Sequence, residues 1–504
     1  MNAADHSRPE AGSPSGSAVK KIFLGNAPWS KPGYKGVRAG CRWPHFELAI
    51  SPYLPFPFYL GQVAALLKKN RFEVLLIDAI TEQMDEETYF SRMVAFAPDL
   101  VVHEVSTASI ETDQRQARMV KEKLPRAQVV FCGPHQLMYD PAFLTQHPFV
   151  DYVLVGEYEF TLLELAQKLD APKEGIPGLI FRTADGTPKA SGRRPLVPLD
   201  SLPWPAREFL PMAKYYDNMG GIPSPSLQMH ASRGCPFTCN FCSWPQVMYG
   251  GNAYRTRNPK DVVDELESCI GPYGIKSFYF DDDTFNIGKK RMLELGDELI
   301  KRRINLPWSA MARADTADEE TLQRLHEAGL VSIKYGVESG DQKILDDCGK
   351  RLDLEVAKRN IFATKRLGIK CHLSFAFGLP GETHETIQKT LRLADELDPD
   401  SLQFSIATPY PGSRLYEQLK AEGHLLTGNF DEYDGANRAV MCTTSLTTEE
   451  IEAAHKYAIA RWHKKHLVRK LWRNKLHYTK ECLRHPMVAV RVVGNMIKAG
   501  KSDS

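Results

Sequence analysis

The segment SRGCPFTCNFCSWP, residues 232–245, places three cysteines close together within a chain of 504 residues. Cys235, Cys239 and Cys242 have the spacing Cys-x3-Cys-x2-Cys and follow the stretch LQMHAS, which has the composition of a β-strand. Three thiolates on one loop can hold three irons of a 4Fe-4S cubane and leave the fourth iron without a protein ligand. The segment therefore predicts an iron–sulfur centre with one open iron.

Two other interpretations of these cysteines are weaker. A structural zinc site normally needs four protein ligands, often as two paired knuckles, and no second pair follows Cys242. A disulfide would leave one of the three cysteines over, and the chain has no feature of a secreted protein. We expect the remaining cysteines to be reduced thiols, buried or at the surface: Cys41, Cys132, Cys269, Cys348, Cys371, Cys442 and Cys482.

Strand and helix patterns alternate on both sides of the cysteine segment, from Leu227 to about Leu426. The strands are expected at LQMHAS, KSFYFD, PWSAMAR, VSIKYG, KCHLSFAF and LQFSIA. Six strands with intervening helices predict an open, partial (β/α)6 barrel related to the TIM architecture. Active sites of such barrels lie at the carboxyl ends of the strands, where the cysteine segment also falls.

A second alternation precedes the barrel, from Lys20 to about Asp170. Its strands are expected at KIFLGNA, FEVLLIDA, DLVVHEV, AQVVFCG and DYVLVGE, with helices between them. This order predicts a Rossmann-like, doubly wound parallel sheet that binds ligands at its carboxyl edge. A hairpin around Asp185 and Gly186 and the Pro-rich stretch PLVPLDSLPWP should follow.

The sequence thus divides into five regions. We expect a disordered tail at 1–19, the Rossmann-like domain at 20–175, the hairpin and linker at 176–208, the barrel at 209–426, and a helical basic region at 427–504. From Arg461 to Ser504 there are 12 Lys and Arg against 2 Asp and Glu, a net charge of +10. This basic segment is expected to pack on the barrel or to contact a membrane surface or a partner.

The composition is that of an ordinary globular protein, with 43% hydrophobic and 25% charged residues. No apolar run approaches the roughly 18 residues of a membrane span, and the N-terminus has no apolar core typical of a signal peptide. We expect a cytoplasmic protein, with peripheral membrane contact as one alternative. Nucleic acid is not expected as a partner, because the positive charge is local and no binding fold accompanies it.

The cysteine spacing, together with Phe241 just before the last cysteine, resembles the radical S-adenosylmethionine (SAM) superfamily. The order of a Rossmann-like domain and then a barrel is similar to the cobalamin-binding subgroup, which includes methyltransferases and the anaerobic magnesium-protoporphyrin ester cyclases. The stretches CGPHQ at Gly133 and VGEYEF at Gly156 and Glu157 resemble two segments of that subgroup. They depart from it at Cys132 and Tyr158, where Gly is usual.

The resemblance implies that SAM chelates the open iron and is cleaved reductively to a 5'-deoxyadenosyl radical. It also implies cofactor contacts from Phe241, beside the cluster, and contacts to SAM from residues at the strand ends: Asp281, Asp282, Arg313, Glu338, Ser339 and Gly378. In the first domain it implies cofactor contacts from Gly133, Gly156 and Glu157. The alternatives are local roles: the Asp residues could end a strand or cap a helix, Arg313 could pair with an acid, and Gly378 could belong to a plain turn.

The Asp-x-His-x-x-Gly sequence that gives cobalt a histidine ligand in other cobalamin proteins is absent. We therefore expect cobalamin without a nitrogen ligand on its lower face, and structural roles for His45, His103 and His135. The resemblance implies an anaerobic enzyme that methylates an unreactive carbon of a small-molecule or lipid-like substrate, with a flavodoxin- or ferredoxin-type electron donor. Oxidative cyclisation or rearrangement without methyl transfer is the alternative enzyme function, and an iron–sulfur sensor is the non-enzymatic one.

Overall fold

A computed structural model describes residues 19–31, 34–37, 45–48, 54–216, 219–435 and 437–473. The predicted tail lies outside these residues except for Val19, and most of the predicted basic segment lies outside them as well. Of the strands in the first half of the chain, seven form one sheet and three form a small one. They are β1 (Lys21–Asn26), β2 (Ser30–Lys31), β3 (Tyr34–Val37), β4 (His45–Leu48), β5 (Glu73–Asp78), β6 (Leu100–Glu104), β7 (Gln128–Cys132), β8 (Tyr152–Leu154), β9 (Leu179–Arg182) and β10 (Pro188–Ala190).

The larger sheet has the order β10-β9-β8-β7-β6-β1-β5, and β5, β1, β6, β7 and β8 are parallel. The order reverses between β1 and β6, which is where doubly wound sheets bind their ligands. The hairpin forms around Asp185 and Gly186 as predicted, but it does not stand apart from the sheet. Strand β9 pairs antiparallel with β8, so the hairpin extends the sheet by two strands.

Alternating apolar residues explain why this sheet is covered on both faces. In β1, Ile22 and Leu24 belong to one buried cluster and Phe23 belongs to the cluster on the opposite face. Helices contribute to both clusters, with Val63 of α1 in the first and Met93 of α3 in the second, which confirms the doubly wound prediction. The helices of this half are α1 (Phe58–Lys69), α2 (Ala79–Glu82), α3 (Glu86–Phe96), α4 (Ile110–Lys123), α5 (Ala142–Gln146) and α6 (Glu159–Gln167).

The second half contains six parallel strands in the order β11-β14-β15-β16-β17-β18, which confirms the partial barrel. A short antiparallel pair, β12 with β13, was not predicted and supports the cysteine segment. The strands are β11 (Ser226–Met229), β12 (Ser232–Gly234), β13 (Tyr254–Thr256), β14 (Ser277–Phe280), β15 (Trp308–Ala312), β16 (Leu330–Glu338), β17 (Lys370–Phe377) and β18 (Ser401–Ile406).

Nine helices of the described residues follow β12. They are α7 (Ser243–Met248), α8 (Pro259–Tyr273), α9 (Lys289–Lys301), α10 (Glu319–Glu327), α11 (Gln342–Asp347), α12 (Leu354–Arg366), α13 (His384–Leu397), α14 (Arg414–Glu422) and α15 (Thr448–Arg473). Several start at an Asp whose carboxylate accepts a hydrogen bond from a backbone N–H of the first turn, as Asp318, Asp341 and Asp353 do.

One buried cluster includes residues of both halves, so the sheet and the barrel share a core. Helix α15 packs on the barrel: Arg461 and Lys465 pair with Asp395 of α13 at 2.5 and 2.7 Å. The start of the basic segment therefore packs on the barrel, which is one of its predicted alternatives. Among the helices described, none combines the length and the apolar character needed to span a membrane.

Candidate functional site

The three cysteines of the predicted cluster line one cavity of about 350 Å³. They lie on the loop that leads from β12 into α7, beside the carboxyl ends of the barrel strands. Phe237, the small residues Gly250 and Gly251, and Arg414 also line this cavity. Burial raises the pKa of the Cys235 and Cys239 thiols, so iron must displace their protons when it binds.

The cysteine loop is held by the segment after α11 and by the start of α14. The backbone N–H of Asn240 donates to the carbonyl of Cys348 at 2.8 Å, and that of Leu415 donates to the carbonyl of Asn240 at 3.0 Å. Phe241 packs against a buried apolar cluster that includes Cys348 and Leu415. The predicted role of Phe241 at the cluster is thus accompanied by a packing role that fixes the loop.

A buried lysine that no sequence motif indicates lies next to the loop. Lys350 is 7% exposed, and its ammonium is 3.1 Å from the Glu338 carboxylate. Burial lowers the pKa of Lys350, but the charges of Glu338 and Cys239 outweigh burial and raise it. Glu338 has a left-handed backbone (φ 72°) at the end of β16. The only sequence signal for Lys350 is a lone Lys after a helix, which is too common to be predictive.

Arg313 follows β15 and is also close to the cysteine loop. Its guanidinium binds both carboxylate oxygens of Asp315, at 2.6 and 2.9 Å, and stacks over the ring of Phe237 with 3.8 Å between the guanidinium carbon and the ring centre. Pairing with an acid was the local alternative for Arg313, and the structure shows that pair. The contact with Phe237 nevertheless keeps the charge at the wall of the cavity.

The run of three Asp residues after β14 braces the cysteine loop. Asp282 accepts hydrogen bonds from the backbone N–H of Ala231, at 2.8 Å, and from the Ser232 hydroxyl. Asp283 accepts from the N–H of Gly234 at 2.7 Å. Burial raises the pKa of Asp282 to about 6. Asp282 is fully buried under the loop, so the structure gives it a supporting role where the sequence predicted contact with SAM; Asp281 is almost as buried, at 5% exposure.

Ser339 and Gly378 follow the next two strand ends. The hydroxyl of Ser339 accepts from the N–H of Asp341 at 3.2 Å and lies 3.4 Å from the hydroxyl of Thr390. Gly378 has φ 83°, and its N–H donates to the Glu382 carboxylate at 2.5 Å. Both residues follow strand ends and have local partners that shape the loops, and Ser339 is fully buried.

A buried charge cluster joins the cysteine segment to the first domain. Arg233, two residues before Cys235, pairs with Glu157 and Glu159 at 2.7 Å each and stacks over Tyr59 at 4.1 Å. Arg255 of β13 also pairs with Glu157 at 2.7 Å. The sequence predicted that Glu157 binds a cofactor, but the structure turns it toward the barrel. Tertiary contact between the domains decides its role, and one domain's sequence pattern does not reveal it.

The carboxyl edge of the first sheet carries the other two predicted glycines. Gly133 has φ 109°, and a Cβ there would lie 2.5 Å from the carbonyl oxygen of Val105. The hydroxyl of Tyr139 donates to the Gly133 carbonyl at 2.9 Å and accepts from the Gly156 N–H at 3.0 Å. The two glycine loops are therefore held together by one tyrosine.

The uncharged hydroxyls of the segment after β6 suit the amide rim of a corrinoid, and the Glu104 carboxylate at the end of β6 accepts a hydrogen bond from the Tyr158 hydroxyl at 2.8 Å. Buried hydroxyls of Ser106, Thr107 and Ser109 lie there beside the glycine loops. Burial lowers the pKa of His135 to about 3, so this imidazole is neutral, and its Nδ1 lies 3.2 Å from the Thr107 hydroxyl. His103 is buried within β6, and the side chain of His45 lies outside the described residues.

Two family models match the chain at these two sites. The Radical SAM superfamily model matches residues 229–394, which include the cysteine loop and strands β14 to β17. The B12 binding domain model matches residues 51–166, which include both glycine loops. These matches confirm the expected cofactors, a 4Fe-4S cluster with SAM and cobalamin, and the expected enzyme class.

Individual proteins agree with the family models. An uncharacterized methyltransferase of Pyrococcus horikoshii is 32% identical over 78% of this chain and 85% of its own length. The anaerobic magnesium-protoporphyrin IX monomethyl ester cyclase of Rubrivivax gelatinosus is 30% identical over 72% of this chain and 66% of its own length.

Among solved structures, the fold is similar to the radical SAM methyltransferase TsrM of Kitasatospora setae with cobalamin and a 4Fe-4S cluster bound. The TM-score is 0.61 at 21% identity, over 82% of this chain and 76% of that one. The chain therefore belongs to the radical SAM superfamily, in the group that carries a B12-binding domain ahead of the catalytic barrel.

Proposed function

We propose that this protein cleaves SAM at a 4Fe-4S cluster held by Cys235, Cys239 and Cys242 and methylates an unreactive carbon of a small molecule with a methyl group from cobalamin. The observation that carries the proposal is the cavity that all three cysteines line at the strand ends. The B12-binding domain packs directly behind this loop through Arg233 and Glu157. The simplest interpretation of this arrangement is that residues of both domains form one active site.

When bound, the cluster supplies the electron that splits SAM into methionine and the 5'-deoxyadenosyl radical, and the corrinoid supplies the methyl group. As part of the proposal, we assign the carboxylate of SAM to the positive charges of Lys350 and Arg313, and its amino group to Glu338. Asp282 and Asp283 hold the loop in shape by accepting hydrogen bonds from its backbone N–H groups. Ser339 and Gly378 shape the rim on the adenine side.

Anaerobic reconstitution tests the cluster. The wild-type protein should take up about four irons and four sulfides per chain, as an open cubane requires. Replacing all three cysteines with Ala should abolish both the cluster and the release of 5'-deoxyadenosine. The matched control is Cys371→Ala, a buried thiol in β17 away from the loop. Activity that survives in the triple variant would overturn the assignment.

Variants of two carboxylates distinguish a residue that binds SAM from a residue that supports the cysteine loop. Glu338→Ala should leave the iron content intact and weaken SAM binding by roughly tenfold to 150-fold, the loss expected for one charge-assisted hydrogen bond. Asp282→Ala should instead lower the iron content and the thermal stability, since two loop donors lose their acceptor. If both variants lost SAM affinity and iron content to the same extent, the separate roles proposed for Glu338 and Asp282 would be contradicted.

The absence of a nitrogen ligand to cobalt is tested by spectroscopy. Protein loaded with cobalamin should give the optical and paramagnetic spectra of a corrinoid without axial nitrogen. Replacing His103 or His135 with Ala should not change those spectra. A nitrogen signature that disappears in either variant would reject this part of the proposal.

A second candidate function is oxidative cyclisation or rearrangement without methyl transfer, and the similarity to the R. gelatinosus cyclase favours it. Product mass separates the two functions. Methylation adds one carbon to the substrate, with a mass increase of about 14 Da, whereas cyclisation adds no carbon. SAM labelled with deuterium in its methyl group should transfer that label to the product only if methylation occurs.

The partners of the enzyme are also proposed. We propose a flavodoxin- or ferredoxin-type electron donor, because such donors are acidic and the C-terminal segment is basic. We also propose a cytoplasmic enzyme that contacts a membrane surface through residues beyond α15. Sedimentation with anionic vesicles tests the second proposal, because a protein truncated after residue 473 should no longer bind them while its iron content stays unchanged.

A further inference from the structure

The cavity that the three cysteines line is open to solvent on one side. Thr238, Gly250 and Asn252 belong to its lining, and all three are exposed. Together they form the mouth of the cavity. Cys235 and Cys239 are only partly buried. A molecule that contacts the mouth therefore comes close to the cluster cysteines.

The rest of the cysteine loop is covered by protein. Asp282 and Asp283 at the end of β14 accept hydrogen bonds from the start of the segment, and Arg233 joins it to the first domain. The backbone of Asn240 bonds to the segment after α11 and to the start of α14. Among the described residues, the mouth is thus the side from which another protein can approach the cysteines.

Arg414 is the one charged side chain among the residues that line this cavity, and no Asp or Glu is among them. It is exposed, and its guanidinium donates to the carbonyl of Thr238. Its backbone N–H donates to the side-chain oxygen of Gln246 at 3.1 Å. These hydrogen bonds fix a positive charge beside the mouth.

A second exposed arginine, Arg193, lies against the same mouth. Its guanidinium donates to the carbonyls of Val247 and Met248 in α7, at 2.9 and 3.1 Å. A Cβ on Gly250 would lie 3.0 Å from the Nε atom of Arg193. Arg193 belongs to the segment after the hairpin, so only the folded chain brings it next to the cysteine loop.

The charges of these two arginines are not neutralised by acids. Neither forms an ion pair in the part of the chain that the structure describes, because their guanidinium partners are backbone carbonyls. Glu417, three residues after Arg414 on α14, is exposed and does not pair with it. Arg233, which is buried between the domains, is instead paired with Glu157. The mouth therefore presents positive charge that is available to a partner.

We propose that a small acidic electron-transfer protein, of the flavodoxin or ferredoxin type, docks over this mouth through Arg193 and Arg414. The inference rests on the proposed function, and it places the donor at the cysteine loop instead of on the C-terminal basic segment. The reduced donor loses one electron and the oxidised cluster gains it, and no bond forms or breaks in this step.

Two properties of the mouth suit this partner. Electron transfer weakens steeply with distance, so a donor must bind where the cysteines lie near the surface. Charge complementarity across an interface guides the encounter and fixes the orientation of the partners. The small, uncharged side chains of the mouth leave room for the donor between the two arginines.

Stopped-flow mixing of the reconstituted protein with a reduced bacterial flavodoxin tests the docking surface. Arg193→Glu and Arg414→Glu should each lower the second-order rate constant of cluster reduction by roughly tenfold or more at low salt, because electrostatic steering raises association rates by about 10-fold to 1000-fold. Added salt should slow the wild type and narrow the difference. Arg126→Glu, an exposed change just before β7, is the matched control and should keep the wild-type rate.

Dithionite separates docking from the proposed function, because this small inorganic reductant needs no docking surface. In both variants, the ratio of flavodoxin-driven to dithionite-driven release of 5'-deoxyadenosine should fall below that of the wild type. A wild type that releases no 5'-deoxyadenosine with dithionite would reject the proposed function, whereas unchanged ratios in both variants would reject only the docking surface.

Chemical modification gives a measurement that does not depend on the variants folding. Oxidised flavodoxin should slow the reaction of phenylglyoxal with Arg193 and Arg414 in the wild type, as read by mass spectrometry, and leave that of Arg126 unchanged. Unslowed modification of Arg193 and Arg414, or protection confined to the arginines beyond residue 473, would overturn the inference.

Discussion

Two buried arginines join the parts of this protein by the same chemistry in different places. Arg233 is 2% exposed, stacks over Tyr59 and pairs with Glu157 and Glu159. Arg207 is 3% exposed, stacks over Phe56 at 4.4 Å and pairs with Glu265 at 2.9 Å. Both connect the first domain to the barrel, but only Arg233 is adjacent to the cysteine loop. The comparison separates the contacts that hold the domains together from those that shape the site.

The largest effect is expected when Arg233 is removed. Arg233→Met should lower the free energy of unfolding by about 3 to 5 kcal/mol, because it leaves the buried carboxylate of Glu159 without its arginine partner. Arg207→Met should lower it less, because Glu265 keeps its ion pair with Arg257. Denaturant titration measures this loss. Only Arg233→Met should also change the paramagnetic spectrum of the reduced cluster. A changed spectrum in Arg207→Met would show that the two regions do not differ as described.

Glu382 is a buried carboxylate that accepts its hydrogen bond from a backbone N–H and not from an arginine, and it can be compared with Glu265. Burial tends to raise the pKa of Glu265, but Arg257 and Arg207 outweigh it and lower that pKa. Glu382 instead accepts a hydrogen bond from the Gly378 N–H, and burial raises its pKa from 4.5 to about 8. The folded protein therefore keeps a proton that the unfolded chain releases, and stability should fall as the pH rises from about 5 to about 8.

Glu382→Gln should remove this part of the pH dependence. The variant keeps an acceptor for the Gly378 N–H and cannot ionise, so its melting temperature should vary less than that of the wild type between pH 5 and pH 8. Glu385→Gln, an exposed change on the same segment, is the control. An unchanged pH profile in Glu382→Gln would contradict the burial argument.

A smaller effect is expected within the Arg233 cluster itself. Two arginines, Arg233 and Arg255, outweigh burial and lower the pKa of Glu157, whereas burial dominates at Glu159 and raises its pKa. Glu157→Gln should therefore cost about 1.5 to 3 kcal/mol at pH 7, the range for hydrogen bonds to charged groups. Glu159→Gln should cost less. The reverse order in denaturant titration would show that Glu159 is the main partner of Arg233.

The smallest effect is expected at the surface pair between α13 and α15. Asp395→Asn removes the partner of Arg461 and Lys465, all of which are partly solvent-exposed. Such pairs contribute about 0 to 1 kcal/mol, and salt screens them. The change in unfolding free energy should stay within that range and shrink further at high salt. A loss comparable to that of Arg233→Met would mean that α15 is held mainly by this pair.

The sequence predicted those features that depend on local pattern. The cysteine spacing indicated the metal-binding loop, and strand and helix periods indicated both parallel sheets. Partners from distant parts of the chain were not predictable in this way. Asp281, Asp282 and Asp283 are adjacent in sequence, yet Asp282 and Asp283 accept from different backbone groups of a loop about 50 residues earlier.

Two charged residues illustrate the same limit. Glu157 lies in a segment that resembles a cofactor motif, but its partner Arg233 comes from the other domain. Lys350 gains its importance only because the chain brings it next to Glu338 and Cys239. Neither contact follows a period or spacing in the sequence. The first depends on how the two domains pack, and the second depends on how the chain returns after α11 to the end of β16.

The hairpin at the side of the first sheet has a consequence for the behaviour of the protein in concentrated solution. An open strand at the side of a sheet can pair with the same strand of another molecule and start aggregation. Here the outermost strand on that side, β10, has three residues, begins with a proline that has no N–H to donate, and carries an exposed lysine at position 189. Its length, its missing donor and its charge all oppose such pairing, so this side of the protein resists self-association.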